Sequence, residues 1–475
     1  MDELISLFAK STGEVPQCES IKGEGSNRKY YRLRSTHHSL VGVRGESLDE
    51  NRAFIKLARH FEQKGLNTPR IVAVGHDEMY YLQEDLGSVS LFDEISASVA
   101  KHDFSGKDIR LLEKTMDKLA DFQYKAAEDL DFSICYPLPE MDRQSILWDL
   151  NYFKYCFLKN AHMDFSEPLL EKDFQVFADD LMRYESDTFM YRDFQSRNVM
   201  VKDDDVYFID FQGGRRGPIY YDVASFVWQA KADYSDSVKQ KLIDAYIDSL
   251  RKYRAVDATD FRSVLNLFVL FRMVQVLGAY GYRGLFERKT HFIESIPFAL
   301  SNVASLLQAH DFSRYPYLSS LLKSVSQDER FQKNKTKADE GLTVRIYSFS
   351  YKKGIPEDVS GNGGGYVFDC RAVNNPGRYD EYKCLTGLDE PVKRFLENDG
   401  EILTFLKSIY ELADMHVGRY VERGFSSLMF SFGCTGGQHR SVYSAQHLAE
   451  HIHRKFGVEV RICHREQHIS TTLPA

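Results

Sequence analysis

Residues 324–341, SVSQDERFQKNKTKADEG, consist largely of charged, amide and hydroxyl side chains. Such a run buries too little apolar surface to offset the entropy of ordering it, so it reads as a linker. It divides a chain of 475 residues into two patterned stretches. That length allows more than one core. The expected organisation is a domain over 1–325, a linker at 326–341 and a second domain over 342–475.

Within the first stretch the hydrophobic period changes. From Ile21 to about Leu86 the segments YYRLRS, SLVGVRG and YYLQEDLG read as strands. Between them Leu48 to Lys64 has helical spacing, with Phe54, Leu57, Ala58 and Phe61 on one face. From Leu91 onward helical spacing dominates. It is interrupted by FMYRDFQSRNVMVKDDDVYFIDFQ and resumes from Val223 to Leu307. This predicts a small strand-rich lobe over about 1–88 and a mostly helical lobe over about 89–325. Beyond the linker, LTVRIYSFSY, YVFDCRAV, SLMFSFG and VEVRICH are strand patterns that alternate with helices, as in an α/β domain.

A net charge of −8 does not favour a protein that coats nucleic acid, although a local basic patch stays open. The seven cysteines are odd in number and form no C-x-x-C pair, which is a reduced, intracellular pattern. The N-terminal MDELISLFAKSTGE lacks a basic start followed by an apolar run, and no uninterrupted apolar run reaches the roughly 18–20 residues of a membrane span. The expected location is the cytoplasm, with no membrane partner.

The chemistry concentrates in YRDFQSRNVMV and VYFIDFQ. Asp193 and Asn198 have D-x-x-x-x-N spacing, and Asp210 follows an apolar strand. Phosphoryl transfer needs a carboxylate facing the acceptor hydroxyl and oxygen ligands for Mg²⁺, and this spacing supplies both. The matching stretches RDFQSRNVMV, FIDFQGGRRGPIYYDVAS and RMVQVLGAYGYRG resemble the aminoglycoside-phosphotransferase and choline-kinase-like superfamily. Within it they look most like the anomeric amino-sugar kinases of bacterial cell-wall recycling (the AmgK group), as does ILWDLNYFKYCFLK.

The resemblance implies an α+β, protein-kinase-like bilobal domain followed by the smaller α/β domain. It implies ATP and Mg²⁺ as cofactors and the anomeric hydroxyl of N-acetylmuramate or N-acetylglucosamine as acceptor. Asp193 is then the catalytic carboxylate and Asn198 and Asp210 the metal ligands, with Arg192 and Asp222 supporting the loop. Tyr191 stands where the family has His.

GEGSNRKYYR fits a loop over the phosphates, with Gly23, Gly25, Ser26 and Asn27 bringing backbone amides close. The family's ATP-contacting Lys is missing from VGVRG. Arg44 is the expected replacement, with Glu50 as its ion-pair partner; a surface salt bridge is the competing reading. Glu84 to Gly87 is the expected hinge beside adenine.

In the second stretch, SLMFSFGCTGGQHRSVYSAQHLAEHI reads as strand, glycine-rich turn and helix, a nest for an anion. SFSYKKGIP, VFDCRAVNNP, LTGLDEPV and GCTGGQHRSV resemble the C-terminal domain of the RNase adapter family (RapZ). That resemblance implies binding of an amino-sugar phosphate by Thr435, Gly436, Gly437, His439 and Arg440, with Lys352 as a further candidate. It also implies a part in small-RNA handling, which the absence of that family's P-loop half weakens. Two rival patterns overlap this segment. Cys434 to Arg440 is C-x5-R, as in cysteine phosphatases, and His447 to His451 is the zinc pattern H-x-x-E-H.

Overall fold

The computed structural model describes residues 2–21, 28–104, 106–331, 341–358 and 364–475. Two compact units divide between Gln332 and Lys333.

The small lobe is one antiparallel sheet. Its strands are β1 (Gln17–Ile21), β2 (Lys29–Arg34), β3 (Ser39–Arg44), β4 (Ile71–Val74) and β5 (Tyr80–Glu84), in the order β1-β2-β3-β5-β4. Helix α1 (Asp2–Thr12) packs on one face, where Leu4 and Phe8 close a small core with Leu33, Tyr80 and Leu82. Helix α2 (Leu48–Gln63) begins at Ser47, whose side chain accepts the Glu50 amide. Its buried Phe54, Leu57, Ala58 and Phe61 are the stripe expected from the sequence, and they join the main core.

The large lobe contains α3 (Leu91–Lys101), α4 (Gly106–Ala127), α5 (Arg143–Tyr152), α6 (Glu167–Leu181), α7 (Tyr220–Val227), α8 (Asp236–Leu250), α9 (Ala258–Tyr280), α10 (Thr290–Ile293), α11 (Ile296–Ala309) and α12 (Pro316–Gln327). Four short strands interrupt the helices: β6 (Thr188–Met190) pairs with β9 (Arg215–Gly217), and β7 (Val199–Lys202) pairs with β8 (Asp205–Phe208). Helix α9 and its continuation, Ala258–Phe286, are long and apolar enough to cross a membrane, but their most apolar 18-residue window is 67% buried inside the domain. It is the lobe's central helix. A Cβ on Gly281 would stand 2.2 Å from the Cys156 carbonyl oxygen, so the glycine permits a close backbone approach by the Phe153–Leu158 turn. Val325 is buried and Phe331 packs on the same core, so the first unit continues into the segment read from composition as linker.

The second unit is a five-stranded sheet of order β11-β12-β10-β13-β14, made of β10 (Thr343–Ser350), β11 (Tyr366–Asp369), β12 (Ser427–Cys434), β13 (Glu459–His464) and β14 (Ile469–Leu473). Only β14 is antiparallel to its neighbour. Helices α13 (Glu390–Asn398), α14 (Glu401–Glu422) and α15 (Arg440–Phe456) complete it. The strand order turns back at β10, and ligand crevices of such sheets lie outside the carboxyl ends of the strands at that point.

Candidate functional site

A cleft of about 730 Å³ is lined by the small-lobe sheet and by the loops around β7 and β8. Ile21, Val41, Gln83, Leu86, Met200 and Ile209 line it, as do Asp193, Asn198 and Asp210. The sequence spacing thus brings the three oxygen-bearing side chains to one cavity.

Backbone hydrogen bonds and buried polar groups set the geometry of that loop. The Tyr191 and Arg192 amides each donate to the Asp222 carboxylate at 2.8 Å, and Gln123 Nε2 donates at 3.0 Å. Burial pushes the Asp222 carboxyl up to about 6, and these hydrogen bonds work against that rise. Arg192 has φ 76°, a left-handed conformation unusual for a side chain of this kind, and its guanidinium is fixed by Asp149 at 3.0 and 3.2 Å. Tyr191 is fully buried, and its hydroxyl donates to the Ile209 carbonyl, tying the loop to the residue before Asp210. The Asp193 side chain is left about half exposed (53%), with Arg272 3.9 Å from its Oδ1.

The residues fit a hard divalent cation. Asn198 donates its Nδ2 to the Asp193 carbonyl at 2.8 Å, which leaves Oδ1 as the amide's acceptor. Gln212, which the sequence reading missed, donates to Asp210 Oδ1 at 2.8 Å while its own Oε1 is buried without a hydrogen-bond partner. Oxygen donors of this kind suit Mg²⁺. Gln83 was also missed. It lines the cleft, and its Oε1 is likewise buried and unpartnered.

Arg44 requires a correction. Its side chain is exposed, and Glu50 pairs instead with Arg28, NH2 to Oε1 at 3.2 Å. The reason is strand parity. Val41 and Val43 are buried and Val41 lines the cleft, whereas a Cβ on Gly42 would meet Leu33 and Leu4 on the α1 side. Arg44 shares the parity of Gly42 and therefore the opposite face. Glu84 lines the cleft, and its carboxylate is spent on Lys202 at 3.0 Å and Arg70 at 3.2 Å. Burial raises that carboxyl, yet the two cations hold it below its ordinary value. Gly23, Gly25, Ser26 and Asn27 lie outside the described residues.

The large-lobe wall of the cleft also carries basic and aromatic side chains. Arg197, Lys231, Arg272 and His291 line it with Trp228, Tyr280 and Phe292.

In the second unit, loops from β10, β12 and β13 meet around Gly437. Ser350 Oγ donates to the Thr435 carbonyl at 2.7 Å, Gln467 Nε2 donates to the Gly437 carbonyl at 3.1 Å, and Lys353 pairs with Glu466 at 2.6 Å. Thr435, Gly436 and Lys352 are exposed. His439 and Arg440 are buried and turned elsewhere: His439 Nε2 is 2.9 Å from the Tyr382 carbonyl, and Arg440 NH1 donates to the Arg371 and Val373 carbonyls at 2.9 and 2.8 Å. Arg440 therefore anchors the segment after β11 instead of presenting a fork to a phosphate, which corrects the clamp expected of it. The same orientation weighs against a cysteine phosphatase. Cys434 Sγ is buried and accepts the Gly437 amide at 3.2 Å, but the guanidinium that would hold the ester points away. The H-x-x-E-H histidines are engaged separately. His451 contacts Asp414 at 2.8 Å, and His447 packs on Tyr443 with ring centroids 4.1 Å apart.

Fold and cleft together define a two-lobed, protein-kinase-like domain followed by a smaller α/β domain. The chain belongs to the phosphotransferase enzyme family, whose model matches residues 17–258, just over half of the chain. A second model, the RapZ C-terminal domain, matches residues 342–468. Curated relatives include proteins named nucleotide-binding protein from Xylella fastidiosa, 37% identical over 125 residues (26% of this chain, 41% of that one). Another, from Staphylococcus epidermidis, is 37% identical over 132 residues (28% and 42%). The chain thus spans less than half the length of these relatives. Similar solved structures include a choline/ethanolamine kinase family protein of Mesorhizobium loti, 10% identical, covering 68% of this chain and 99% of that one, TM-score 0.46. An ADP-bound aminoglycoside phosphotransferase is 12% identical, covering 67% and 98%, TM-score 0.43.

Proposed function

We propose that the first unit transfers the γ-phosphoryl group of ATP to the anomeric hydroxyl of an N-acetylated amino sugar, N-acetylmuramate or N-acetylglucosamine, in cell-wall sugar recycling. The second unit binds an amino-sugar phosphate. The observation that carries the acceptor class is the set of basic and aromatic side chains on the cleft's large-lobe wall. The cations Arg197, Lys231 and Arg272 disfavour a polycationic aminoglycoside or a choline-type cation and suit a neutral or carboxylate-bearing acceptor. Trp228, Tyr280 and Phe292 offer the flat apolar surface on which a sugar ring packs.

In this reading Asp193 accepts the proton of the anomeric hydroxyl as its oxygen bonds to the γ-phosphorus. The bond from the γ-phosphorus to the bridging oxygen breaks, and ADP leaves with the electron pair. Arg272, beside Asp193, orients the carboxylate and adds positive charge near the reacting phosphoryl. Asn198 and Asp210 would hold Mg²⁺, with Gln212 fixing Asp210; the ion supplies charge neutralisation on the phosphates when bound. Asp222 and Asp149 keep the loop in its left-handed turn, so the carboxylate is positioned before substrate arrives.

An acceptor panel tests the class. With Mg-ATP in a coupled ADP assay, N-acetylmuramate and N-acetylglucosamine are expected to drive turnover, and kanamycin and choline to stay at the no-acceptor rate. Turnover with the cations alone would overturn the sugar assignment.

A further inference from the structure

We propose that Arg197 recognises a carboxylate on the acceptor, so that the preferred acceptor is the acid-bearing N-acetylmuramate and not the neutral N-acetylglucosamine. The inference rests on the sugar-kinase reading above and deepens it. Arg197, Lys231 and Arg272 are the permanent cations on the large-lobe wall of the cleft. The last two are engaged. Arg272 is buried; its Nε donates to Ser225 Oγ at 3.0 Å, its NH1 donates to Gln275, and its NH2 lies 3.9 Å from Asp193 Oδ1. Lys231 faces Glu294 at 3.8 Å. Arg197 is exposed, lines the cleft and, among the described residues, makes no hydrogen bond or ion pair.

The backbone under Arg197 is held on both sides. The residue sits in the turn Ser196–Asn198, between Asp193 and the candidate metal ligand Asn198. On one side the Ser196 amide and hydroxyl both donate to Gln229 Oε1, at 3.1 and 2.7 Å. Gln229 Nε2 is in turn fixed by the Phe226 carbonyl at 3.0 Å and the Tyr234 hydroxyl at 3.1 Å. On the other side the Asn198 amide donates to the Gln195 carbonyl at 2.9 Å, and its side chain to the Asp193 carbonyl at 2.8 Å. A fork carried on such a turn is placed before the acceptor arrives. Tyr280 of α9 is its neighbour: burial raises that hydroxyl, and Arg272, Arg197 and a hydrogen bond with Ser295 oppose the rise. An acid entering this cleft meets the negative charge of Asp193, Asp210 and a triphosphate. A guanidinium without a partner offsets that repulsion and can grip a carboxylate through two parallel hydrogen bonds. A neutral sugar needs no such partner. A nucleotide phosphate offers similar oxygens, but the Tyr280 ring beside Arg197 is one of the three assigned to the sugar, which favours the acceptor as the source of the anion.

Steady-state kinetics of the full chain with Mg-ATP and, in turn, N-acetylmuramate, its methyl ester and N-acetylglucosamine test this. The ester keeps the shape of the acid and removes its charge. Wild type is expected to show a kcat/KM for the acid about ten- to a hundredfold above that for the ester or N-acetylglucosamine, the worth of one charge-assisted contact. Arg197→Gln is expected to lower kcat/KM for the acid by the same factor, through KM, and to bring the three acceptors within about threefold of one another. Arg197→Lys, which keeps the charge and loses the fork, is expected to fall between. Wild-type protein that takes acid and ester equally would overturn the inference, as would an equal loss on all three acceptors in Arg197→Gln. A higher KM for Mg-ATP in Arg197→Gln, with the preference for the acid intact, gives the fork to the nucleotide and overturns it as well. Wild-type protein that prefers N-acetylglucosamine overturns the role of Arg197 alone. Wild-type protein that phosphorylates none of the three overturns the sugar-kinase reading and this inference with it.

Discussion

The buried Asp222 carboxylate accepts three hydrogen bonds, two of them from backbone amides of the residues just before Asp193. Removing it strands those donors in the interior, at about 1–3 kcal/mol for each group left unsatisfied. Asp222→Ala is therefore expected to lower stability by about 3 kcal/mol or more, seen as an earlier thermal transition, and to lower kcat as the left-handed turn at Arg192 relaxes. A variant that melts like wild type would contradict this. Asp193, Asn198 and Asp210 stood out in the sequence because their spacing matches what phosphoryl transfer requires, and Asp222 because FIDFQGGRRGPIYYDVAS resembles the family's motif. The Arg28–Glu50 pair did not, because an ion pair between the start of a strand and a helix depends on which face each residue occupies. The clue was present in SLVGVR: alternation makes Val41 and Val43 the inward pair and puts Arg44 outside. Gln212 and Gln83 carry no spacing signal, and only their unsatisfied buried atoms reveal them.

Three elements of the second unit meet at His464. Its Nδ1 lies 3.0 Å from Ser348 Oγ on β10, and its Nε2 lies 3.2 Å from Gln446 Oε1 on α15. Those partners suit a neutral ring, with the hydroxyl donating to Nδ1 and Nε2–H donating to the amide oxygen. Burial pushes the imidazole down to about 4. The folded pKa is depressed, so the unfolded chain takes up the proton first on acidification. The contribution is complete above about pH 6.5 and is lost as pH falls toward 4, by up to about 3 kcal/mol. His464→Gln is expected to flatten that dependence. Trp148 and Trp228, the only tryptophans, lie in the first unit. Urea unfolding followed by tryptophan fluorescence reports that unit, and circular dichroism adds the second; an unchanged pH slope in the variant would contradict the assignment. Strands β1 and β14 escaped the sequence reading because each is a short edge strand with no buried residue and hence no alternating apolar signal. The central strands β10 and β12, buried along nearly their whole length, were plain.

At the scale of the whole chain, the two units are built differently: a cleft whose large-lobe wall carries carboxylates and bases, and a glycine-rich turn at the carboxyl ends of a mostly parallel sheet. Composition located the polar break between them, and α12 runs on to Gln327 with Phe331 still packed on the first unit's core. Phosphorus NMR of the full chain with Mg-ATP and N-acetylmuramate or N-acetylglucosamine tests the central claim most directly, beside an Asp193→Asn control that keeps the fold of the loop. The account predicts a sugar 1-phosphate resonance from wild type and a rate at least about a hundredfold lower from the control. A phosphate on any other hydroxyl, or equal product from the control, would contradict it.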